Sequence, residues 1–484
     1  MIKKYDLVIV GTSFASSFFL KKTLEKSSKN IRILVLERGM CFSHKSRLTH
    51  AVSKPLGSNS FISRLGNSQK TYSTNNHKKP WMFDANFGGS SNCWTGCTPR
   101  FMPNDFKIKS LYGIGEDWPI SYDDLEPYYC EAEAIMGIAG PSQTPYPMSQ
   151  PYPLPPHELS SVDKLIQEKF GPLYISQPTA RASIPVGKRN GCCSNSICHL
   201  CPVDAKFTIA NTLSHIYDDS RVELIYNAQV IGLICSNSSA SGLEYIKDKK
   251  RVTVAADLFA LGANAIFNAH ILLNSGDSNY YTGKGLCEQI GFYAYIYLRN
   301  LENLGGSSTI TANGFMLYDG EHRKDHASCL IENHNGPIIR SDFGKWRNIV
   351  KLKFIFEDLP QDKNQVLLSD NELKPLVNYF GPSEYARKGY KQLENKIASI
   401  FGFLPIEKVI LDDLQQPTES HILSTTRMGS SPMNSVIDSD LFHHQYRNVI
   451  VLGGGAFPSI AAANPTLTLS AMSLRTADRI LNAK

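Results

Sequence analysis

The stretch YDLVIVGTSFAS, residues 5–16, decides the fold of the N-terminal part of this chain. Its first six residues are mostly apolar and predict a strand, and its last six predict a tight turn that opens a helix to about Lys26. A second apolar run, Ile31 to Leu36, predicts the next strand and is followed by Glu37. Together they form a βαβ unit, in which the helix N-terminus can hold a pyrophosphate.

The first turn departs from the dinucleotide-binding pattern G-x-G-x-x-G. Gly11 takes the first glycine position, but Ser13 and Ser16 stand at the second and third. Their small side chains still allow close backbone approach, and a serine hydroxyl could donate to a phosphate. Glu37 follows at the spacing expected of a carboxylate that binds a ribose hydroxyl. Taken alone, the turn is also compatible with an ordinary strand–turn–helix.

Length and composition indicate a globular enzyme with one large or two closely packed domains. The chain has 484 residues, of which 42% are hydrophobic and 19% charged, with a net charge of +6. Lys and Arg form no stripe, which argues against nucleic acid as a partner. The eleven cysteines are scattered, which argues against a disulfide framework. We find no secretory signal and no apolar run of about 20 residues, so we expect a cytoplasmic protein without a membrane span.

Two C-terminal runs carry the residues best suited to chemistry. His421 opens HILSTTRMG, and Asn464 opens NPTLTLSAMSLR. A neutral histidine can accept a proton near neutral pH, and an amide can donate a hydrogen bond to an oxygen that gains negative charge. Asn464 also suits a helix N-cap, with Pro465 at the first helical position. The two side chains can meet only if the fold brings these distant segments together.

Five stretches together resemble the glucose–methanol–choline family of flavin-dependent oxidoreductases. They occur in the family's order and span nearly the whole chain, which is too much agreement for chance. The stretches are the N-terminal βαβ unit with Glu37; Gly88-Gly89-Ser90-Ser91 with Trp94 and Thr98-Pro99-Arg100-Phe101; residues 117–129 (DWPISYDDLEPYY); residues 201–206 (CPVDAK); and the block from His421 to Arg475.

The resemblance implies an α/β fold: a Rossmann-like FAD-binding domain with an interleaved α+β substrate-binding domain built on an antiparallel sheet. We expect residues 1–279 to form mainly the FAD-binding domain, with a loop or lid at 40–80. Residues 280–410 should form mainly the substrate-binding domain. Residues 411–484 should return to the FAD-binding domain and bring the catalytic pair with them.

The resemblance also implies the reaction. FAD would oxidise a CH–OH group of a small-molecule alcohol, plausibly a sugar or glycoside, by hydride transfer to flavin N5, with His421 as the base and Asn464 as a donor to the substrate oxygen. The helix after Asn464 would point at the N1/C2 edge of the flavin. The sequence does not separate oxygen from another electron acceptor, so oxidase and dehydrogenase both remain open.

The same resemblance assigns residues to the cofactor. The residues that we expect at the FAD are Gly11, Ser13, Phe14, Ala15, Glu37, Arg38, Gly88, Gly89, Ser90, Asn92, Cys93, Trp94, Val230, Gly262, Gly454, Gly455, Ala456, Pro465 and Thr466.

Within the family, the C-terminal block is most similar to pyranose oxidases, which pair a histidine with an asparagine. In those enzymes a histidine just before the Trp-Thr pair carries the flavin covalently, whereas this chain has Cys93 there. A histidyl bond is therefore impossible at this position. A cysteinyl bond, a non-covalent flavin and a packed thiol remain open.

The cysteines Cys192, Cys193, Cys198 and Cys201 allow a metal interpretation, but only the last two have C-x₂-C spacing. We therefore favour buried thiols or an incidental disulfide and predict no metal site. Two alternatives to the oxidoreductase remain: a non-redox lyase of the same fold, for which His421 would also serve as base, and a flavin-binding protein that has lost catalysis.

Overall fold

The computed structural model describes residues 3–52, 68–196, 198–336, 338–412 and 415–482. Its helices are α1 (Phe14–Lys26), α2 (His44–Val52), α3 (Ile108–Tyr112), α4 (Tyr122–Met136), α5 (Ser161–Phe170), α6 (Asn264–Asn274), α7 (Glu384–Lys391), α8 (Leu393–Phe401) and α9 (Thr466–Asn482). Its strands are β1 (Lys3–Val10), β2 (Ile33–Leu36), β3 (Ser73–Thr74), β4 (Tyr174–Ser176), β5 (Val222–Ile225), β6 (Gln229–Ser236), β7 (Ser239–Lys247), β8 (Lys250–Leu261), β9 (Ile290–Leu298), β10 (Ile310–Leu317), β11 (Cys329–His334), β12 (Ile349–Phe356), β13 (Gln365–Leu367), β14 (Leu376–Asn378), β15 (Ile406–Leu411) and β16 (Val449–Val451).

The first sheet is the predicted nucleotide-binding sheet. Its order is β5-β2-β1-β8-β7-β6, and β16 also pairs with β8. Pairing is parallel among β1, β2, β5, β8 and β16, whereas β7 runs antiparallel to β8. The carboxyl ends of the parallel strands, after Val10, Leu36 and Leu261, therefore lie at one edge of the sheet. Ligands of open α/β sheets bind at this carboxyl edge. The parallel pairing of β16 brings the C-terminal segment back beside β8.

The second sheet is antiparallel, in the order β15-β9-β12-β11-β10-β4. Its β9, IGFYAYIYL, alternates fully buried and partly exposed residues. The buried set packs in an apolar core with Val162 of α5, Ala386 of α7 and Ile397 of α8. The helices therefore cover one face of the sheet, and Tyr293, Tyr295 and Tyr297 project from the other. This agrees with the predicted fold class.

Several element boundaries differ from the sequence prediction. The strand expected at 222–230 is two strands, because a turn around Asn227, with φ of +54°, separates β5 from β6. The region 40–80 is not wholly irregular, since it contains α2 and the short β3, which pairs with β14. Residues 53–67 of that predicted lid lie outside the described residues. Among the helices that the structure describes, none has the length and apolarity to cross a membrane.

Candidate active site

A cleft of about 690 Å³ lies at the carboxyl edge of the first sheet. Eight residues predicted at the cofactor line it: Gly11, Ser13, Glu37, Arg38, Gly89, Ser90, Val230 and Gly262. Prediction missed Thr12, Phe83, Asp84, Asn86 and Phe267, which also line it. Thr12 lies inside the first turn, between Gly11 and Ser13, whereas residues 83–86 belong to no motif and reach the cleft only through the fold.

The floor of the cleft is organised around Glu37. Its carboxylate accepts hydrogen bonds from the Thr12 hydroxyl and, at 2.8 Å, from the Gly39 backbone N–H. Burial raises the pKa of Glu37, and these two donors oppose the rise. Thr12 also accepts from the Gly88 N–H at 3.0 Å, which ties the glycine-rich loop to the first turn. Each Glu37 oxygen keeps a lone pair for a ribose hydroxyl.

The serines of the first turn have separate roles. The Ser16 hydroxyl donates to the Val10 carbonyl at 3.0 Å and occupies the space that a side chain at Gly262 would need. A glycine on β8 therefore provides the close helix–strand packing that a third glycine in the turn would otherwise give. A Cβ at Gly89 would lie 2.5 Å from the Ser13 Cβ, so the loop and turn approach each other closely.

The cleft offers a donor and an aromatic face as well. The Arg38 guanidinium stacks on the Phe267 ring at 4.6 Å. Its Nη1 is buried, and no hydrogen-bond partner for it occurs in the described part of the chain. Burial lowers the pKa of Arg38 to about 10, which leaves it charged at neutral pH. A carboxylate, an unpartnered cationic donor and a close backbone turn together fit the ribose and pyrophosphate of a dinucleotide.

The remaining predicted cofactor residues do not line this cleft. Phe14 and Ala15 are core residues, and the Phe14 ring packs edge-on against Trp94 at 4.6 Å. Asn92 donates to Asp84 and to the Phe87 carbonyl, both at 2.9 Å, and so holds the glycine-rich loop. The 454–456 turn hydrogen-bonds through its backbone to the segment that follows His421. Pro465 and Thr466 lie at the start of α9.

Cys93 is a packed thiol in this structure. Its Sγ lies 3.5 Å from the Ser90 carbonyl. Burial raises the pKa of Cys93 to about 12, and Asp84 adds to the rise, so a thiolate is disfavoured at neutral pH. The four clustered cysteines are free thiols, and no group of three or more His, Cys, Asp or Glu suited to a metal ion occurs among the described residues.

His421 is held by Gln289, a residue that the sequence analysis did not single out. The Gln289 Nε2 donates to the carbonyls of Ala461 and Ala463, at 2.9 and 3.1 Å. Its Oε1 lies 2.9 Å from the His421 Nδ1. Gln289 thereby joins His421 to the backbone of the segment that leads to Asn464.

These contacts determine the tautomer of His421. Both N–H groups of the Gln289 amide are used by carbonyls, so its oxygen must face the imidazole. His421 Nδ1 therefore carries the proton, and no hydrogen bond from a described residue engages the Nε2 lone pair. Burial lowers the pKa of His421 to about 3; Lys353 and Lys79 add to the lowering and Glu332 opposes it. The ring is thus a neutral base at physiological pH.

Asn464 is 9% exposed, and its Oδ1 has no hydrogen-bond partner within the described ranges. The prediction that it caps the last helix is wrong, because α9 begins at Thr466, which places Pro465 rather than Asn464 immediately before the helix. The Oδ1 acceptor of this buried amide is therefore available to a ligand.

A buried ion pair completes the surroundings of His421. The Lys353 ammonium pairs with Glu419, two residues before His421. A Cβ at Gly291 would lie 2.0 Å from the Glu419 Oε1, so the carboxylate sits over the bare backbone of β9. Burial opposes the charge on Lys353, but Glu419 holds its pKa above the ordinary value. The second sheet therefore faces the His421 side of the first domain.

Known oxidoreductases resemble this chain in sequence. Residues 382–473 match the family model described as GMC oxidoreductase. The chain is 28% identical to the fructose dehydrogenase large subunit of Gluconobacter japonicus, over 82% of this chain and 80% of the relative. It is 23% identical to the pyranose 2-oxidase of Lyophyllum shimeji, over 82% of this chain and 71% of that protein. The C-terminal part of the chain therefore carries a GMC oxidoreductase domain, and the relatives and structural neighbours of the chain are GMC enzymes.

The fold agrees as well. The GMC enzyme pyridoxine 4-oxidase from Mesorbium loti superposes with a TM-score of 0.65, over 98% of this chain and 99% of that chain, at 16% identity. That likeness concerns the fold alone. GMC oxidoreductases are FAD enzymes, and FAD is therefore the cofactor expected in the cleft above Glu37.

Proposed function

We propose that this GMC oxidoreductase oxidises a CH–OH group of a sugar or another polyhydroxylated alcohol to a carbonyl, with His421 as the base. The observation that carries the proposal is the neutral His421, which Gln289 fixes and whose Nε2 lone pair is engaged by no described residue. When bound, FAD supplies the hydride acceptor that such an oxidation needs.

Each residue of the site has a defined part. The substrate hydroxyl donates its hydrogen bond to His421 Nε2, and its proton passes to that nitrogen as the carbonyl forms. Gln289 keeps the proton on Nδ1, so the accepting nitrogen stays free. The Asn464 amide donates an N–H to the substrate oxygen and stabilises the negative charge that develops there. The Asn464 amide cannot accept the hydroxyl proton, so His421 alone acts as the general base.

The partners follow from the same chemistry. The substrate is a small alcohol, and the electrons leave to oxygen or to another acceptor, between which no residue described above discriminates. The cytoplasmic location expected from the sequence remains a prediction.

Replacement of His421 tests the assignment. We expect His421→Ala to slow the reduction of bound FAD by at least about 100-fold while FAD stays bound, since the variant lacks only the base. Asn464→Ala should slow it by roughly 100-fold through loss of the oxyanion donor. His215→Ala, which removes an exposed histidine of the first domain, is the matched control. Stopped-flow absorbance gives the rates. Loss of FAD from the His421 variant, or a rate equal to wild type, contradicts the role of His421.

A further inference from the structure

The face of the second sheet that lies opposite its helices begins beside His421. Gln289 precedes β9 and contacts His421, and alternate residues of the strand lie on one face. Gly291, Tyr293, Tyr295 and Tyr297 therefore follow Gln289 along that face, where the three tyrosines are partly exposed. The backbone advances by about 20 Å between Gln289 and Tyr295, which is longer than one sugar ring.

The neighbouring strand adds lysines to this face. Lys353 pairs directly with Tyr293, and Lys351 with Tyr295, and residues opposite each other in antiparallel strands project to the same side. The Lys351 ammonium lies 3.8 Å from the centroid of the Tyr293 ring. Among the described residues, no hydrogen bond or ion pair of Lys351 is found, so its three N–H donors are available to a ligand. We call Tyr293, Tyr295, Tyr297, Lys351 and Lys353 the tyrosine–lysine face.

Charges of both signs meet at this face. Lys353 is paired with Glu419, and Glu332 lies opposite Lys353 on β11, where it contacts His334 at 3.1 Å. The Asp412 carboxylate acts on Lys351 and Tyr295, so the face presents no block of one charge sign that would complement an ionic substrate. Aromatic faces beside hydrogen-bond donors suit a ligand with apolar C–H faces and many hydroxyls.

We propose that the tyrosine–lysine face binds a neutral glycoside of at least two sugar rings. The reacting ring lies at His421 and Asn464, and the next ring stacks on Tyr295 within reach of Lys351. This assignment rests on the proposed function and adds the substrate class: an extended neutral glycoside rather than a free monosaccharide, a cationic aminoglycoside or a sugar acid.

The test compares ring number on the FAD-loaded protein. The probes are glucose, its α- and β-methyl glycosides, maltose and cellobiose, with paromamine and gluconate as the charged comparisons. We expect kcat/KM for one neutral disaccharide to exceed that for glucose by at least about tenfold, and to exceed that for both charged compounds. Stacking of a second ring on Tyr295 buries enough apolar area for such a factor.

Two variants test whether the preference for a disaccharide depends on the tyrosine–lysine face. Tyr295→Ala should lower kcat/KM for the disaccharide about tenfold more than for glucose, through KM. Tyr280→Ala, which removes an exposed tyrosine outside this face, should leave that ratio unchanged. Saturation-transfer NMR on the His421→Ala holoprotein provides a readout without turnover, and both rings of the disaccharide should receive saturation.

The outcomes separate the two proposals. Oxidation of glucose with no gain from a second ring, or equal losses for both sugars in Tyr295→Ala, overturns the extended subsite and leaves the proposed function standing. A disaccharide that binds with both rings saturated in a Tyr295-dependent manner, but is never oxidised, supports the subsite and contradicts the proposed function.

Discussion

At the scale of single residues, Gln289 fixes the tautomer of the buried His421, so that Nε2 is the nitrogen that can accept a proton. The sequence identified His421 and Asn464, because each opens a run that resembles a family motif. Gln289 could not be found that way, since a glutamine before a strand resembles any polar loop residue. Its role arises only from three contacts made across more than a hundred residues of chain.

Changing Gln289 should alter the pH profile of the reaction. In the wild type, burial, Lys353 and Lys79 lower the pKa of His421 to about 3 against the opposing Glu332, so His421 should cause no loss of kcat/KM between pH 5 and 8. Gln289→Glu places a carboxylate at Nδ1, which favours the protonated imidazole. Because a raised pKa leaves His421 protonated below it, activity should fall on the acid side.

Two variants of similar size, Gln289→Glu and Gln289→Met, separate the effect of a negative charge beside His421 from the loss of the hydrogen bond that fixes its tautomer. The methionine variant should keep the wild-type pH profile but lose roughly 10- to 100-fold in kcat, since nothing fixes the ring. The measurement is kcat/KM from pH 5 to 9. An unchanged profile in the glutamate variant would show that Gln289 does not contact His421 during the reaction.

At the scale of elements, β9 joins the two parts of the site. The sequence predicted this strand from its apolar run, and the structure confirms it with the start two residues earlier, at Ile290. The sequence could not supply its register, which places Tyr293 opposite Lys353 and Lys353 opposite Glu332. Register depends on hydrogen bonding between distant strands, and no local pattern encodes which charges become neighbours.

A side chain at Gly291 on β9 should displace the Glu419–Lys353 ion pair. A Cβ there would lie 2.0 Å from the Glu419 Oε1 and 2.8 Å from the Lys353 Cε. We therefore expect Gly291→Ala to displace this ion pair next to His421 and to lower kcat at least about tenfold, with FAD retained. Gly232→Ala on β6 is the matched strand control, because its nearest neighbour lies 3.3 Å away. Equal activities of the two variants would show that the Glu419–Lys353 arrangement does not affect His421.

At the scale of the whole molecule, a buried arginine holds a loop of the first domain to the second sheet. Arg323 is fully buried and binds Glu357, just after β12, at 2.6 Å and Asp105 at 3.0 Å. The sequence predicted the two-part architecture through the five stretches in family order. It could not predict this connection, because Arg323 and Glu357 resemble surface charges when read along the chain.

Removal of Arg323 should weaken the whole fold. Arg323→Met leaves the Glu357 and Asp105 carboxylates buried without their cation, which costs about 3–5 kcal/mol. The neighbouring Lys324→Met is the matched control, because its ion pair with Glu321 is exposed and should contribute less than about 1 kcal/mol. Chemical denaturation of both variants gives the free energies of unfolding. Similar values would mean that the Arg323 cluster does not stabilise the fold.

Oxidation of an alcohol at the His421 site should reduce the bound FAD. The most direct measurement is the visible spectrum of the FAD-loaded wild type, recorded without oxygen after addition of sugars, glycosides and simple alcohols, together with assay of the carbonyl product. We expect a polyhydroxylated substrate to bleach the flavin, with one carbonyl formed per FAD reduced. A flavin spectrum that stays oxidised while product appears would indicate the lyase. One that stays oxidised with no product across all these classes would contradict the claim.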